Sequence, residues 1–204
     1  MTNFWNAITG IKFRKATWIC ASIMAFSQMG GIVLISVYIY SMIGNILEET
    51  KGEFPITPVW AGFTLVAFNF IFSLLVSFVI PRFGRRTLGI TSCIGMAFCN
   101  GSAALCLQSK WYMAAFISLV FFMASFSIIG AISYIYVGEV TVDKAAGLTM
   151  GFFCLGCIIV SFTAEYIMLW LTVPGTFYLQ CAINLIYALI WVFSKESAGK
   201  SDKA

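Results

Sequence analysis

Three arginines and one glutamate are the charged residues whose types and positions suggest a specific contact. Arg82, Arg85 and Arg86 stand together in the stretch PRFGRR, and Glu139 stands much later, in the stretch YVGEV. The planar guanidinium group of arginine matches the geometry of a carboxylate. We therefore predict that Arg85 or Arg86 binds Glu139 and so ties two distant parts of the chain together.

Two other polar residues interrupt apolar stretches of the chain. Asn69 and Glu165 each have mainly apolar neighbours in sequence, and polar groups in such stretches are costly in lipid unless they face a helix, a cavity or the membrane surface. Asn69 either binds a ligand or forms a hydrogen bond between helices. Glu165 either reaches the membrane surface or takes part in proton coupling. The sequence leaves both pairs of alternatives open.

Several kinds of chemistry are excluded by the composition. The chain contains no histidine, which removes histidine-based metal ligation and acid–base catalysis. Its seven cysteines all lie in apolar stretches, where a thiol packs as a small, weakly polar side chain. The net charge of +4 requires no nucleic-acid partner. We therefore predict no catalytic residue, no metal site and no cofactor, in a protein that is not an enzyme.

The elements that must position these residues are membrane-spanning helices. The chain is 61% hydrophobic and 10% charged, with a mean hydropathy of +0.95, which is too apolar for a soluble domain. A helix needs about 20 mainly apolar residues to cross about 30 Å of hydrocarbon. We predict an all-α, polytopic membrane protein with six transmembrane helices. Their predicted ranges are 16–43, 58–80, 87–107, 111–138, 145–170 and 176–194.

Two local signals lie in the last apolar run. The stretch TVPGTF contains a proline and a glycine, which favour a turn and divide this run into two helices. Gly147 and Gly151 are spaced four residues apart, and small residues at this spacing allow two helices to approach closely. We expect this glycine pair to serve helix packing.

The distribution of basic residues predicts the orientation in the membrane. Six spans put both termini on one side, and every basic residue except Lys51 and Lys110 falls on that side. The positive-inside rule therefore predicts that both termini face the cytoplasm, or the matrix or stroma of an organelle. The predicted regions are a cytoplasmic-side segment at 1–15, a helical bundle at 16–194 and a polar tail at 195–204.

Three motifs together resemble a known family. The motif R-x-G-R-R follows the second predicted helix, YVGE follows on the same side of the membrane, and QMGGI lies in the first helix. This pattern is similar to the C-terminal half of a sugar porter of the major facilitator superfamily, the family of the hexose transporters. The resemblance implies the seventh to twelfth of twelve spans, with a substrate site between the two halves near the middle of the membrane.

The resemblance also implies a latch on the cytoplasmic side. In the family, paired arginines and a glutamate hold the inner gate closed in the outward-facing state. One of the two basic residues that follow the glutamate is retained in this chain, while Pro81 replaces the family's acid. The implied latch residues are Arg82, Arg85, Arg86, Glu139 and Lys144.

The first two helices carry most of the implied sugar site. Gln28 and Gly31 match the family motif, and Ser27 stands where the family has a second glutamine. Val33 replaces the asparagine of the motif, whereas Asn69 matches the sugar-binding asparagine of the second helix. The resemblance therefore implies a sugar or polyol ligand, bound by fewer amides than is usual.

Later helices retain less of the family pattern. Gly130 and Tyr134 keep a glycine and an aromatic residue of the gating segment and are implied substrate-site residues, but Phe126 replaces its glutamate. Cys157 and Ile158 stand where the family has asparagine and tryptophan. These replacements weaken the case for transport.

The sequence thus supports two functional hypotheses. In the first, this half transporter moves a sugar or polyol by alternating access after pairing, in the lipid membrane, with a second copy or a separate partner half. In the second, it is a transport-incompetent accessory or structural subunit of a larger membrane protein complex. A half that inhibits complete transporters is a variant of the second hypothesis.

Overall fold

The regular structure of the protein is helical. The computed structural model describes residues 14–50, 54–141 and 143–194, apart from the side chains at positions 79, 81, 143 and 144. A 3-10 turn, Ile80–Arg82, follows the third helix. The helices are α1 (Arg14–Met29), α2 (Ile32–Glu49), α3 (Pro58–Val79), α4 (Arg85–Gln108), α5 (Tyr112–Val140) and α6 (Asp143–Phe193).

The first predicted span is broken in its middle. We expected one helix at 16–43, but α1 ends at Met29 and α2 begins at Ile32. Gly31 between them has φ 113° and ψ −9°, a left-handed conformation that glycine adopts without steric cost. The prediction of a continuous helix is therefore wrong, although α1 and α2 together still form one span, Arg14–Glu49.

The last two predicted spans are joined more closely than the sequence indicates. Helical geometry runs from Asp143 to Phe193 except at Thr172, where φ is 61° and ψ is 169°. Pro174 lies just after this break, at a position in the first helical turn where proline is well tolerated. The predicted division into two spans is correct, but the break is one residue and not a turn across 171–175.

The two parts of α6 run in opposite directions past the break between α1 and α2. Before Thr172, the thiol of Cys157 lies 3.2 Å from the side-chain oxygen of Gln28. After it, the side-chain nitrogen of Asn184 lies 2.9 Å from the carbonyl oxygen of Gly30. Thr172 therefore marks the tip of a helical hairpin that packs on α1 and α2.

The close packing of α6 on α1 depends on Gly156, which was not among the glycines predicted to serve helix packing. A Cβ atom at Gly156 would lie 2.8 Å from the carbonyl oxygen of Ala25, so α6 meets α1 almost backbone to backbone. At the predicted pair Gly147 and Gly151, no described atom outside the local helix lies within 4 Å of such a Cβ. Within the described residues this pair therefore contacts no other helix, and its packing role stays a prediction.

The helix α3 lies at the edge of the bundle. Its exposed aromatic side chains include Trp60, Phe63, Phe70 and Phe78, the last of which is 74% exposed. A water-soluble protein rarely exposes so large an apolar surface, whereas in a membrane it faces lipid or another protein subunit. Five helical segments, of which 145–193 contains the break at Thr172, are long and apolar enough to cross a membrane in the described residues.

Candidate functional site

The break between α1 and α2 positions the first predicted ligand contact. Gln28 lies in the last turn of α1 and is 7% exposed. Its side-chain nitrogen donates a hydrogen bond to the hydroxyl of Ser27 at 3.3 Å, and its side-chain oxygen accepts one from the thiol of Cys157. Both ends of the Gln28 amide are therefore held in place by neighbouring residues.

A cavity of about 430 Å³ between α1, α2, α5 and α6 brings several predicted residues together. Phe126, at the position of the family's glutamate, also lines it, so the wall carries no acid there. The opposite wall includes Phe153 of α6. The predicted substrate residues in this cavity are Ser27, Gln28, Gly130 and Tyr134.

Asn69 lines a second cavity of about 610 Å³ between α2, α3 and α5. Its side-chain nitrogen lies 3.8 Å from the sulfur of Met123, and its backbone oxygen accepts a hydrogen bond from Ser127 at 3.2 Å. Because a thioether is a weak acceptor, the Asn69 amide retains the capacity to bind a ligand. The two interpretations of Asn69, ligand contact and helix-to-helix contact, both stay predictions.

The two cavities adjoin each other. Ile32, Ser36 and Phe126 line both of them. The Gln28 and Asn69 amides therefore lie along one connected surface, formed by the middle of α5 and the first turns of α2. We call it the connected amide surface. Its polar groups are amides and hydroxyls, which suit neutral polyhydroxy ligands.

Gly31 is not part of this surface in the described structure. A Cβ atom at Gly31 would lie 3.4 Å from the side-chain oxygen of Gln180 and 3.5 Å from the side-chain nitrogen of Asn100. These groups belong to α6 and α4, away from both cavities. Gly31 therefore permits the helix break and the close approach of buried amides, and the structure gives it no place in the wall of the implied sugar site.

A buried amide cluster at the helix break escaped the sequence analysis. Asn100, Gln180 and Asn184 are each at most 3% exposed. The side-chain nitrogen of Asn184 donates to the carbonyl oxygens of Gly30 and Gln180, both at 2.9 Å, and so satisfies a backbone group at the break. The sequence could have indicated this cluster, because each of the three residues is an amide in an apolar run, as Asn69 is.

The predicted ion pair forms between Arg85 and Glu139. A guanidinium nitrogen of Arg85 lies 3.1 Å from a carboxylate oxygen of Glu139, and the other terminal nitrogen of the group donates to the carbonyl oxygen of Ile80 at 3.1 Å. Arg86 instead donates to the carbonyl oxygen of Val192 at 2.7 Å. The two neighbouring arginines thus join the first turn of α4 to two different helices, α5 and α6.

The remaining predicted latch residues contribute less to this contact. Arg82 is exposed at the end of the 3-10 turn. The side chain of Lys144 lies outside the described residues. Within the described structure, the contact between the start of α4 and the end of α5 therefore centres on Arg85 and Glu139.

We expect a double-mutant cycle to detect this ion pair. Arg85→Ala and Glu139→Gln should each lower the unfolding free energy, and the coupling between them should be about 0.5–1 kcal/mol, because the side chains are 17% and 33% exposed and partly screened by solvent. Unfolding midpoints in detergent measure it, and the coupling should fall in high salt. Arg82→Ala is the control, and strictly additive effects of Arg85→Ala and Glu139→Gln would remove the ion pair as a stabilising contact.

Long apolar helices with amide-lined cavities between them define an integral, multi-pass membrane protein. The family model for "Sugar (and other) transporter" matches residues 1–201, and the chain belongs to this family. The predicted sugar-porter resemblance and the helical membrane fold are thereby confirmed. Membership of a transporter family also agrees with the prediction that the chain is not an enzyme.

Curated relatives cover nearly all of this chain with part of their own length. The chain is 29% identical to "Solute carrier family 2, facilitated glucose transporter member 3" of Ovis aries, over 90% of this chain and 37% of the relative. It is 27% identical to "Facilitated trehalose transporter Tret1" of Bombyx mori, over 98% and 41%. It is 28% identical to "Solute carrier family 2, facilitated glucose transporter member 2" of Mus musculus, over 95% and 38%. The chain thus spans about two fifths of the relatives it matches.

Proposed function

We propose that this chain forms one half of a sugar-porter pathway and moves a sugar or polyol by alternating access once it is paired with a second half. The observation that carries the proposal is the connected surface bearing Gln28 and Asn69 in a chain of the sugar transporter family. The relatives, of whose length this chain covers about two fifths, are named as transporters of glucose and trehalose, which supports a carbohydrate ligand. The second half is a further copy of this chain or a separate partner.

The chemistry of the surface supports a neutral ligand. Sugar hydroxyls donate and accept hydrogen bonds, and the amides of Gln28 and Asn69 do the same. Aromatic side chains such as Phe126 and Tyr134 supply apolar area for the faces of a sugar ring. Under this proposal, Arg85 and Glu139 act as the cytoplasmic latch, and both termini face the cytoplasm, matrix or stroma, as the positive-inside rule predicts.

A transport-incompetent accessory subunit is the second candidate, and a specific observation favours it. The Gln28 amide is already bonded to Ser27 and Cys157, and Phe126 puts a phenyl ring where the family has an acid. A wall of this kind suits a retained scaffold, held in a larger complex through exposed apolar faces such as that of α3.

Uptake into liposomes and particle mass together distinguish the two candidates. Under the transport proposal, liposomes that contain the purified protein should take up labelled hexose or polyol. The particle extracted in mild detergent should contain two halves. Absence of uptake for every hexose and polyol tested, in a particle made of many unrelated subunits, would support the accessory subunit and reject the transport proposal.

We expect Asn69→Ala to reduce hexose uptake about tenfold, because a sugar hydroxyl loses a hydrogen-bond partner worth about 1.4 kcal/mol. Initial rates over a range of substrate concentrations measure the change. Gln108→Ala is the matched control, since this amide lies at the end of α4 and bonds Tyr178. Equal uptake by wild type and Asn69→Ala would exclude Asn69 from the sugar site and leave helix contact as its role.

A further inference from the structure

A third cavity lies beside the connected amide surface, along α2. It has a volume of about 360 Å³, is partly open to the outside of the bundle, and is lined by α2 between Leu34 and Asn45, by α5 and by both parts of α6 near the break at Thr172. Most of its wall is apolar, with Phe177 of α6 and Leu119 of α5 among the contributing side chains. A space of this size accommodates a small organic molecule.

One carboxylate gives this cavity its charge. Glu165 lines it together with neutral polar groups of Tyr38 and Asn45, and no lysine or arginine is among the described residues of its wall. A carboxylate within a membrane span is costly unless it is paired with a cation or reaches water. The cavity therefore offers a negative charge that the chain's own wall residues do not neutralise.

One neutral residue of the wall is less available than the carboxylate. Thr176 also lines the cavity, but its hydroxyl donates to the carbonyl oxygen of Thr172 at 2.8 Å, where it satisfies a backbone group beside the helix break. Tyr38 and Phe177 present aromatic rings, which attract a cation over their faces. The electrostatics of the wall thus favour a positively charged occupant.

The polar residues of the cavity distinguish it from the implied sugar site. Ile35 and Ile39 line both this cavity and the Asn69 cavity, so the two are neighbours along α2. Gln28 and Asn69 line the connected amide surface, and Glu165 lines the third cavity. The two cavities differ in chemistry, because the amides suit a neutral polar ligand and the carboxylate suits a cation with an apolar body.

We propose that this cavity binds a small organic ammonium ion, with Glu165 as its counter-ion and the rings of Tyr38 and Phe177 against its apolar part. The occupant contacts α2 and both parts of α6, so it holds the hairpin of α6 against α2. The proposal is independent of sugar transport, because it depends on the cavity and its charge and on no residue of the implied sugar site.

Equilibrium binding of benzyltrimethylammonium to the full chain in nanodiscs of zwitterionic lipid tests the proposal. This probe carries a permanent positive charge on a small aromatic body, and neopentylbenzene is its neutral counterpart of the same shape. We expect saturable binding of the ammonium, weak competition by the neutral compound, and an affinity about tenfold lower in Glu165→Gln, because the substitution keeps the shape and removes the charge. Glu48→Gln, an exposed acid of α2 outside this wall, should bind as wild type does.

Three results would overturn the proposal. The first is no saturable binding of benzyltrimethylammonium by the wild type. The second is an affinity of Glu165→Gln equal to that of the wild type. The third is that neopentylbenzene displaces labelled benzyltrimethylammonium as strongly as the unlabelled compound does. The last would identify the cavity as an apolar site without charge selectivity. Size-exclusion profiles and unfolding midpoints of both variants confirm that any loss of binding arises in folded protein.

Discussion

Gly89→Val is expected to lower the unfolding free energy by about 3 kcal/mol, since overpacking a close-packed interior costs roughly that much. A Cβ atom at Gly89 would overlap the ring carbons of Trp191. Trp191 is fully buried, and its ring centroid is 5.2 Å from that of Tyr136. The indole therefore cannot move aside without displacing α5 as well. Unfolding midpoints in detergent measure the effect.

Gly147→Val provides the matched control for this prediction. It makes the same substitution on an exposed helical position that has no described neighbour within 4 Å of the added atom, so only a small change in helix propensity remains, and valine is a slightly better helix former than glycine. We expect the double variant Gly89→Ala with Trp191→Leu to be more stable than Gly89→Val, because the leucine at position 191 leaves room for the added methyl group. Equal destabilisation by Gly89→Val and Gly147→Val would show that the contact of α4 with α6 does not limit stability.

The helices were predictable from the sequence because membrane spans follow from apolar length alone. The break between α1 and α2 was missed for the same reason. Gly30 and Gly31 do not interrupt the apolar run, so the length of the run gives no indication of a break there. The break at Thr172 was located to within a few residues because proline and glycine marked it. Its exact position depends on how the hairpin of α6 packs against α2, which no local pattern encodes.

The candidate site was predictable where charge decided it and less so where packing did. Arg85 and Glu139 were paired correctly from opposite charges on one predicted side of the membrane. The bond of Arg86 to Val192 was not foreseen, because its acceptor is a backbone carbonyl that any residue type would supply. Asn100 and Asn184 were overlooked because their facing directions depend on the helix break, although their amide chemistry is that of Asn69.

Gln28→Leu is expected to reduce hexose uptake about 10- to 100-fold under the proposed function. Gln28 is the amide that the fold holds most firmly in the wall of the cavity, through Ser27 and Cys157. Removing it leaves sugar hydroxyls without partners, at a cost of about 1–3 kcal/mol. Leucine has a similar volume, so folding should change little, and initial uptake rates together with unfolding midpoints measure both effects.

Cys157→Ala separates a ligand contact from a structural role for Gln28. The thiol of Cys157 donates to the side-chain oxygen of Gln28 at 3.2 Å, so its removal leaves that oxygen available to a sugar hydroxyl. If Gln28 binds the sugar, uptake by Cys157→Ala should equal or exceed that of the wild type, while Gln28→Leu loses uptake. If the Gln28 amide only joins α1 to α6, both variants should lose stability together and neither should change uptake per folded molecule. The second outcome would favour the accessory subunit, because the best-placed amide of the implied sugar site would then serve the fold alone.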